Sequence, residues 1–150
     1  MEQIYIGTHP HAIDAQRRVA IPREWRQGEK GEALVFYQLP GRHGTIQVLP
    51  ESHFRQEILE KIKKVSFADA AKSRALATIG AKASRCTCDK QGRVTLTPEL
   101  MEHAGLTDQA VMVGSFTTIQ VMAPERWSEN EMSTEDVLDQ IQRIHESGEL

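Results

Sequence analysis

Asp14-Ala15-Gln16-Arg17-Arg18-Val19-Ala20-Ile21 is answered 75 positions downstream by Asp89-Lys90-Gln91-Gly92-Arg93-Val94-Thr95-Leu96, with Asp, Gln, Arg and Val in the same places and an aliphatic at the end. A second match follows in the same order. Thr45-Ile46-Gln47-Val48-Leu49 lines up with Thr118-Ile119-Gln120-Val121-Met122 at an offset of 73, and a Pro-Glu pair stands close behind each, Pro50-Glu51 and Pro124-Glu125. Two matches at nearly one offset identify a tandem duplication of a unit of roughly 50 residues.

What the repeated octapeptide does depends on its local structure. On a helix, Asp and Arg four apart would form a solvated ion pair of about 0.2–0.5 kcal/mol. The flanks point elsewhere: Val19, Ile21, Val94, Thr95 and Leu96 are β-formers in alternation, and Gln91-Gly92 is turn chemistry. Each motif therefore reads as a strand-turn-strand corner. In such a corner Asp14 or Asp89 accepts backbone N–H bonds within the turn, Gly92 takes a positive φ, and Arg18 or Arg93 opens the next strand. A rigid turn then aims one guanidinium, whose planar donor fork matches a phosphate or the O6/N7 edge of guanine. The plainer alternative is that each Arg only locks its own Asp. Arg17 and Lys90 add positive charge that no such lock requires, and two copies suit a repeating, charged partner.

Around the corners each copy reads as strand, turn, strand, short helix, hairpin, helix. Thr97-Pro98-Glu99 supplies an N-cap, a proline at the first helical position and an acid in the first turn, and Gly105 stops that helix; Pro22 to Trp25 is expected to do the same in the first copy. The expected hairpins are Ala33–Gln38 with Thr45–Leu49, joined through Pro40-Gly41 and Gly44, and Ala110–Gly114 with Thr117–Met122, joined by a tight Gly-Ser connection. Between the copies, Phe54, Ile58, Ile62 and Val65, then Ala68, Ala71, Ala75 and Ile79, recur at helical spacing, predicting two helices with a break near Ser66. Val137, Leu138, Ile141 and Ile144 behind a Ser133/Thr134 cap predict a tail helix with acids on its far side, one that docks on something or forms only with a partner. The expected fold class is α+β: a first half over 1–50, connecting helices over 51–79, a second half over 80–127 and an acidic tail helix over 128–150.

Composition narrows the class further. The 150 residues are 39% apolar and 26% charged, ordinary for a chain with a real core. The longest purely apolar run, Ala33-Leu34-Val35-Phe36-Tyr37, is far short of the roughly 20 residues of a membrane helix, and no basic-then-apolar leader opens the chain, so a cytosolic location is expected. The net charge of −3 is a sum over unlike parts: from Ser128 to Leu150 there are seven acids and one arginine, −6, which leaves +3 on residues 1–127. Truncating a tail of this charge is expected to raise affinity for random duplex if the tail shields the body. The bases Lys61, Lys63, Lys64, Lys72, Arg74, Lys82 and Arg85 read as a solvated face, or as a second DNA-facing patch.

Rival chemistries are thin. His9, His11 and Asp14 could begin a metal site, as could Cys86, Cys88 and His103, but neither has a full ligand set at the spacings of structural zinc. Cys86 and Cys88 read as reduced thiols, since two residues apart they could bond only with strain. There is no phosphate-binding glycine loop, no Gly-x-Ser-x-Gly and no separated pair of acids, so no enzyme activity, cofactor, metal or small-molecule substrate is expected.

These residues resemble the bacterial MraZ proteins, tandem relatives of the AbrB/SpoVT-type swapped-hairpin DNA-binding domains. The resemblance is carried by Gly7-Thr8 and His11 to Arg18 in the first copy, and by Asp89 to Val94 and His103-Ala104-Gly105-Leu106 in the second, and spans residues 4–127. It implies two swapped-hairpin β halves and a DNA-binding transcriptional regulator, nucleoid-associated, controlling its own operon and division and cell-wall genes. It also implies ring-shaped homo-oligomers on double-stranded DNA. The DNA-contacting arginine of the family falls on Arg18 and Arg93, and its aspartate on Asp14 and Asp89. Two departures stand out: Arg17 replaces the usual turn glycine, so that turn must avoid positive φ or carry strain of order 1 kcal/mol, and Lys82 stands where Gly7 stands in the first copy. Equal roles for the two halves are thereby put in question.

Overall fold

The two copies interleave. The computed structural model describes residues 3–26 and 34–148. The first copy supplies strands β1 (Thr8–Ala12), β2 (Arg18–Ala20), β3 (Val35–Gly41) and β4 (Thr45–Pro50), and the second supplies β5 (Ser84–Thr87), β6 (Arg93–Thr95), β7 (Gln109–Gly114) and β8 (Ile119–Met122). Six of them form an antiparallel sheet in the order β1-β7-β8-β4-β3-β5, and β2 pairs with β6 as a separate two-stranded ribbon. Exchanging every strand for its counterpart in the other copy reverses that order and leaves it unchanged, so a pseudo-two-fold axis passes between β4 and β8. The register fixes the axis. Gln47 pairs with Gln120 and Val19 pairs with Val94, and in each case the partner is the residue's own equivalent in the duplication.

Because β1 lies on β7 and β5 lies on β3, the first strand of each copy completes the hairpin of the other. The fold is α+β and of the swapped-hairpin type that the resemblance implies, with the exchange running between the two copies. The alternation of β2 and β6 buries Val19 and Val94 on one side, and they join Ile21, Trp25, Leu96, Phe36, Ile46 and Ile119 in a single core. Each such aliphatic side chain removed from water contributes about 1.5–3 kcal/mol. Gln38, fully buried, ties the sheet to the ribbon by donating from Nε2 to the Thr95 carbonyl at 2.8 Å and to Cys86 Sγ at 3.1 Å.

The second copy's short helix α4 (Pro98–Ala104) forms as expected: Thr97 Oγ1 accepts from the Leu100 N–H at 3.1 Å, and Gly105 closes the helix at φ 63°. Its counterpart differs. Pro22 has no side-chain oxygen to cap with, and Arg23–Trp25 is only a single 3₁₀ turn. The hairpins also need correction. Pro40 and Gly41 lie inside β3, paired with Ile46 and Thr45, because proline is tolerated where its missing N–H faces no ladder partner; the turn is carried by His43 and Gly44, both at positive φ. The expected start of this strand at Ala33 lies outside the described residues. In the second hairpin Thr117 belongs to the turn, where Phe116 takes φ 72°, and the connection runs from Ser115 to Thr118.

Between the copies a helical segment runs through α1 (Glu51–His53), a π-helical stretch over Phe54–Leu59 and α2 (Glu60–Ile62), and after a break containing Ser66 continues as α3 (Ala70–Lys82), capped by the Asp69 carboxylate. Phe54 stacks on Tyr37 with ring centroids 4.0 Å apart, yet no residue of these helices is fully buried. Helix α5 (Pro124–Asn130) follows β8, and α6 (Thr134–Ser147), capped by Ser133, buries none of its residues.

Candidate nucleic-acid interface

Asp14 and Asp89 build the same corner twice. Asp14 Oδ1 accepts from the N–H groups of Gln16 (2.9 Å) and Arg18 (2.8 Å), while Oδ2 accepts from Arg18 Nε at 2.7 Å. Asp89 repeats this with Gln91 and Arg93, at 2.9 Å for all three bonds. Two backbone bonds close each corner, Arg17 N–H to Asp14 O and Asp14 N–H to Arg18 O in the first, Gly92 N–H to Asp89 O and Asp89 N–H to Arg93 O in the second. Both carboxyls are held below the ordinary aspartate range, chiefly by the backbone N–H of the arginine that follows, against a smaller opposing effect of desolvation. The lock and the aim are thus one interaction: the carboxylate that fixes the turn also sets the plane of the guanidinium.

The ribbon register then places the two arginines together. Arg18 is opposite Thr95 and Arg93 is opposite Ala20, so all four project from the face away from Val19 and Val94, with Arg18 and Arg93 as diagonal neighbours. Arg93 Nη1 stands 3.9 Å from Asp14 Oδ2, which links the two corners. The arginine side chains remain 30% and 29% exposed, and each spends its Nε on its own aspartate. A two-stranded ribbon of this kind fits the width of a DNA major groove.

The tip residues differ. Arg17 sits at φ 62° and Gly92 at φ 79°, so the first turn does take the left-handed conformation and carries a strain of order 1 kcal/mol there. Arg17 Nε donates to the Leu96 carbonyl at 3.1 Å. The equivalent carbonyl in the other copy, Ile21 O, accepts instead from Arg26 Nε at 2.9 Å, and Arg26 reaches it by lying across Gly92, where a Cβ would collide with its guanidinium. Arg26 had no signal in the repeat, since its counterpart is Met101. Lys90 is exposed at the second tip, so each corner carries two bases, at shifted positions. The departure at Lys82 has a plain cause: it ends α3 and pairs with Glu99 at 2.8 Å, whereas Gly7 holds φ 98°.

Residues of the rival constellations have other partners. His9 Nε2 pairs with Glu24 at 2.8 Å and lies edge-on to Trp25; burial, and secondarily His9, lowers the His11 pKa. His103 Nε2 meets the Gly41 carbonyl at 2.8 Å. Cys86 and Cys88 are free thiols, and burial pushes Cys88 up to about 11. Among the described residues no three His, Cys, Asp or Glu side chains converge as metal ligands, and no helix is long and apolar enough to cross a membrane.

A family model described as "MraZ protein, putative antitoxin-like" matches residues 79–143. Among curated relatives, the Transcriptional regulator MraZ of Carboxydothermus hydrogenoformans is 33% identical over 83% of this chain and 85% of its own length. That of Thermomicrobium roseum is 30% identical over the same shares, and that of Clostridium acetobutylicum is 27% identical over 97% and 99%.

Proposed function

The chain belongs to the MraZ family of transcriptional regulators, and from that premise we propose that it binds double-stranded DNA through the β2–β6 ribbon. The observation that carries this reading is the diagonal pair Arg18 and Arg93, each oriented by its own aspartate on one face of the ribbon. Arg18 and Arg93 read base edges or phosphates, Arg17 and Lys90 supply flanking phosphate contacts, and Asp14, Asp89 and Gly92 shape the turns. A ribbon with so few cations binds weakly alone. Specific binding comes from a homo-oligomer, ring-like in its assembly, whose several ribbons engage short repeated sites, each contact raising the effective concentration of the next. The targets are the protein's own operon and division and cell-wall genes, so it acts in the cytoplasm at the nucleoid.

Duplex carrying the DNA upstream of the protein's own gene is the probe. Footprinting is expected to show protection of regularly spaced short repeats, and affinity is expected to fall steeply with salt. The competing reading, a protein-interaction module of the same fold serving as an antitoxin-like or scaffold component, draws on the unburied apolar face of α6. Affinity that does not change with salt, or that survives Arg18→Ala and Arg93→Ala together, would decide for it.

A further inference from the structure

The two most oppositely charged segments of the chain are also two that leave large apolar side chains in water. Residues 61–82 carry six bases against one acid, +5, and residues 128–150 carry −6. The first exposes Phe67 (94%) and Ile79, and the second exposes Met132, Val137, Leu138, Ile141 and Ile144. Neither α3 nor α6 buries a residue. On α6 the acids Glu135, Asp136, Asp139 and Glu146 lie on the side away from Val137, Ile141 and Ile144, while the positions bordering that stripe, Leu138, Gln140, His145 and Ser147, carry no carboxylate. The seam is therefore apolar, and the charge acts over the width of a helix as a field rather than as a row of ion pairs.

We infer that α6 of one copy docks its apolar face on the cationic helical arm, residues 61–82, of a second copy of this chain. Opposite charge selects the arm over another α6, since two tails would bring −6 against −6. Position selects a second copy over the same chain. Helix α5, which packs on β7, precedes α6 by only residues 131–133, whereas α3 packs on β3. Those strands are three places apart in the sheet, and within its own chain α6 buries no residue, on the arm or elsewhere. Tail to arm is a heterologous contact, which repeats from copy to copy and closes into a ring when its rotation allows. This inference rests on reading the chain as a homo-oligomer and names the surfaces that make one.

The test uses the full-length chain with its mass followed by light scattering against concentration. Ile141→Asp on the tail and Ala75→Glu on the exposed arm helix are each expected to weaken self-association by at least about tenfold, with the far-UV spectrum and melting of the body unchanged because neither side chain is buried. Mixed together they give the decisive result: each subunit keeps one intact surface, so the pair forms a heterodimer and nothing larger. No heterodimer overturns the inference in favour of docking within one chain. Assembly by Ala75→Glu alone overturns it in favour of tail pairing with tail, which rising salt would strengthen, whereas tail-to-arm docking weakens as salt screens the attraction. If both variants assemble like the parent, other surfaces make the oligomer and that reading stands without this contact; if the parent itself is monomeric at every concentration, both fall.

Discussion

The first corner and the second corner share one hydrogen-bonded architecture built with different residues, and the difference shows what a duplication preserves. Both keep the aspartate with its three accepted hydrogen bonds and the arginine that it orients. They differ where the backbone turns left-handed. The second corner uses Gly92 and lets Arg26 occupy the space a Cβ would fill, so that Ile21 O is satisfied from outside the repeat. The first accepts a strained Arg17 and satisfies Leu96 O with that residue's own side chain. What is preserved is the acceptor that needs a donor; the donor's origin is free to change, because a long flexible guanidinium can arrive from either side.

The comparison breaks most severely in DNA binding. Arg18→Ala and Arg93→Ala are each expected to cost about 1–3 kcal/mol of duplex affinity if the guanidinium reads a base, and together about 2–6 kcal/mol, measured by titration at fixed salt. Equal single losses would make the corners equivalent in function as they are in their aspartate lock; a loss confined to one would show that Arg17 or Lys90 has shifted the contact.

Next in size is Gly92→Ala, expected to destabilise by about 1–3 kcal/mol in denaturant unfolding, from the left-handed φ and the collision with Arg26 together. Adding Arg26→Ala should recover part of that loss, so the double variant is less destabilised than the singles predict. Additivity would show that Arg26 is not what occupies the glycine's space. Arg17→Gly is smaller. Relief of about 1 kcal/mol of backbone strain opposes loss of a hydrogen bond of about 0.5–1.5 kcal/mol, leaving stability within about 1 kcal/mol of the parent.

The smallest effect is in pH. Both aspartates have depressed pKa values in the folded chain, so their contribution is complete above the unfolded value near 3.8 and is lost as pH falls through the folded values. Carboxyl carbon shifts followed by NMR should show Asp14 and Asp89 titrating alike, both below the ordinary range. An ordinary titration at one of them would mean that its corner is open in solution.

Much of this was legible in the chain. The octapeptide repeat and its β-forming flanks gave the corners, the aspartate's acceptor role and the positive φ at Gly92, because Asx turns and glycine tips depend on neighbours within four residues. Thr97, Pro98 and Gly105 announced α4 for the same reason. Pro40 is ambiguous in sequence, since a proline near the end of a strand and one in a turn look identical until the ladder partner is known. The role of Arg26 has no local signature, because what calls for it is a carbonyl five residues upstream beside a glycine in the other copy.

By itself the sequence determined the duplication, the two aspartate-locked corners, the breaks between helices and the separation of basic arm from acidic tail, all of which follow from spacing and local chemistry. Only the tertiary structure decided that the copies interleave, that Val19 meets Val94 and Gln47 meets Gln120 on one pseudo-two-fold axis, and that Arg18 and Arg93 therefore share a face. Strand pairing across 75 residues is set by which apolar faces can be buried together, and a period-two pattern specifies the face to bury without naming the strand that covers it.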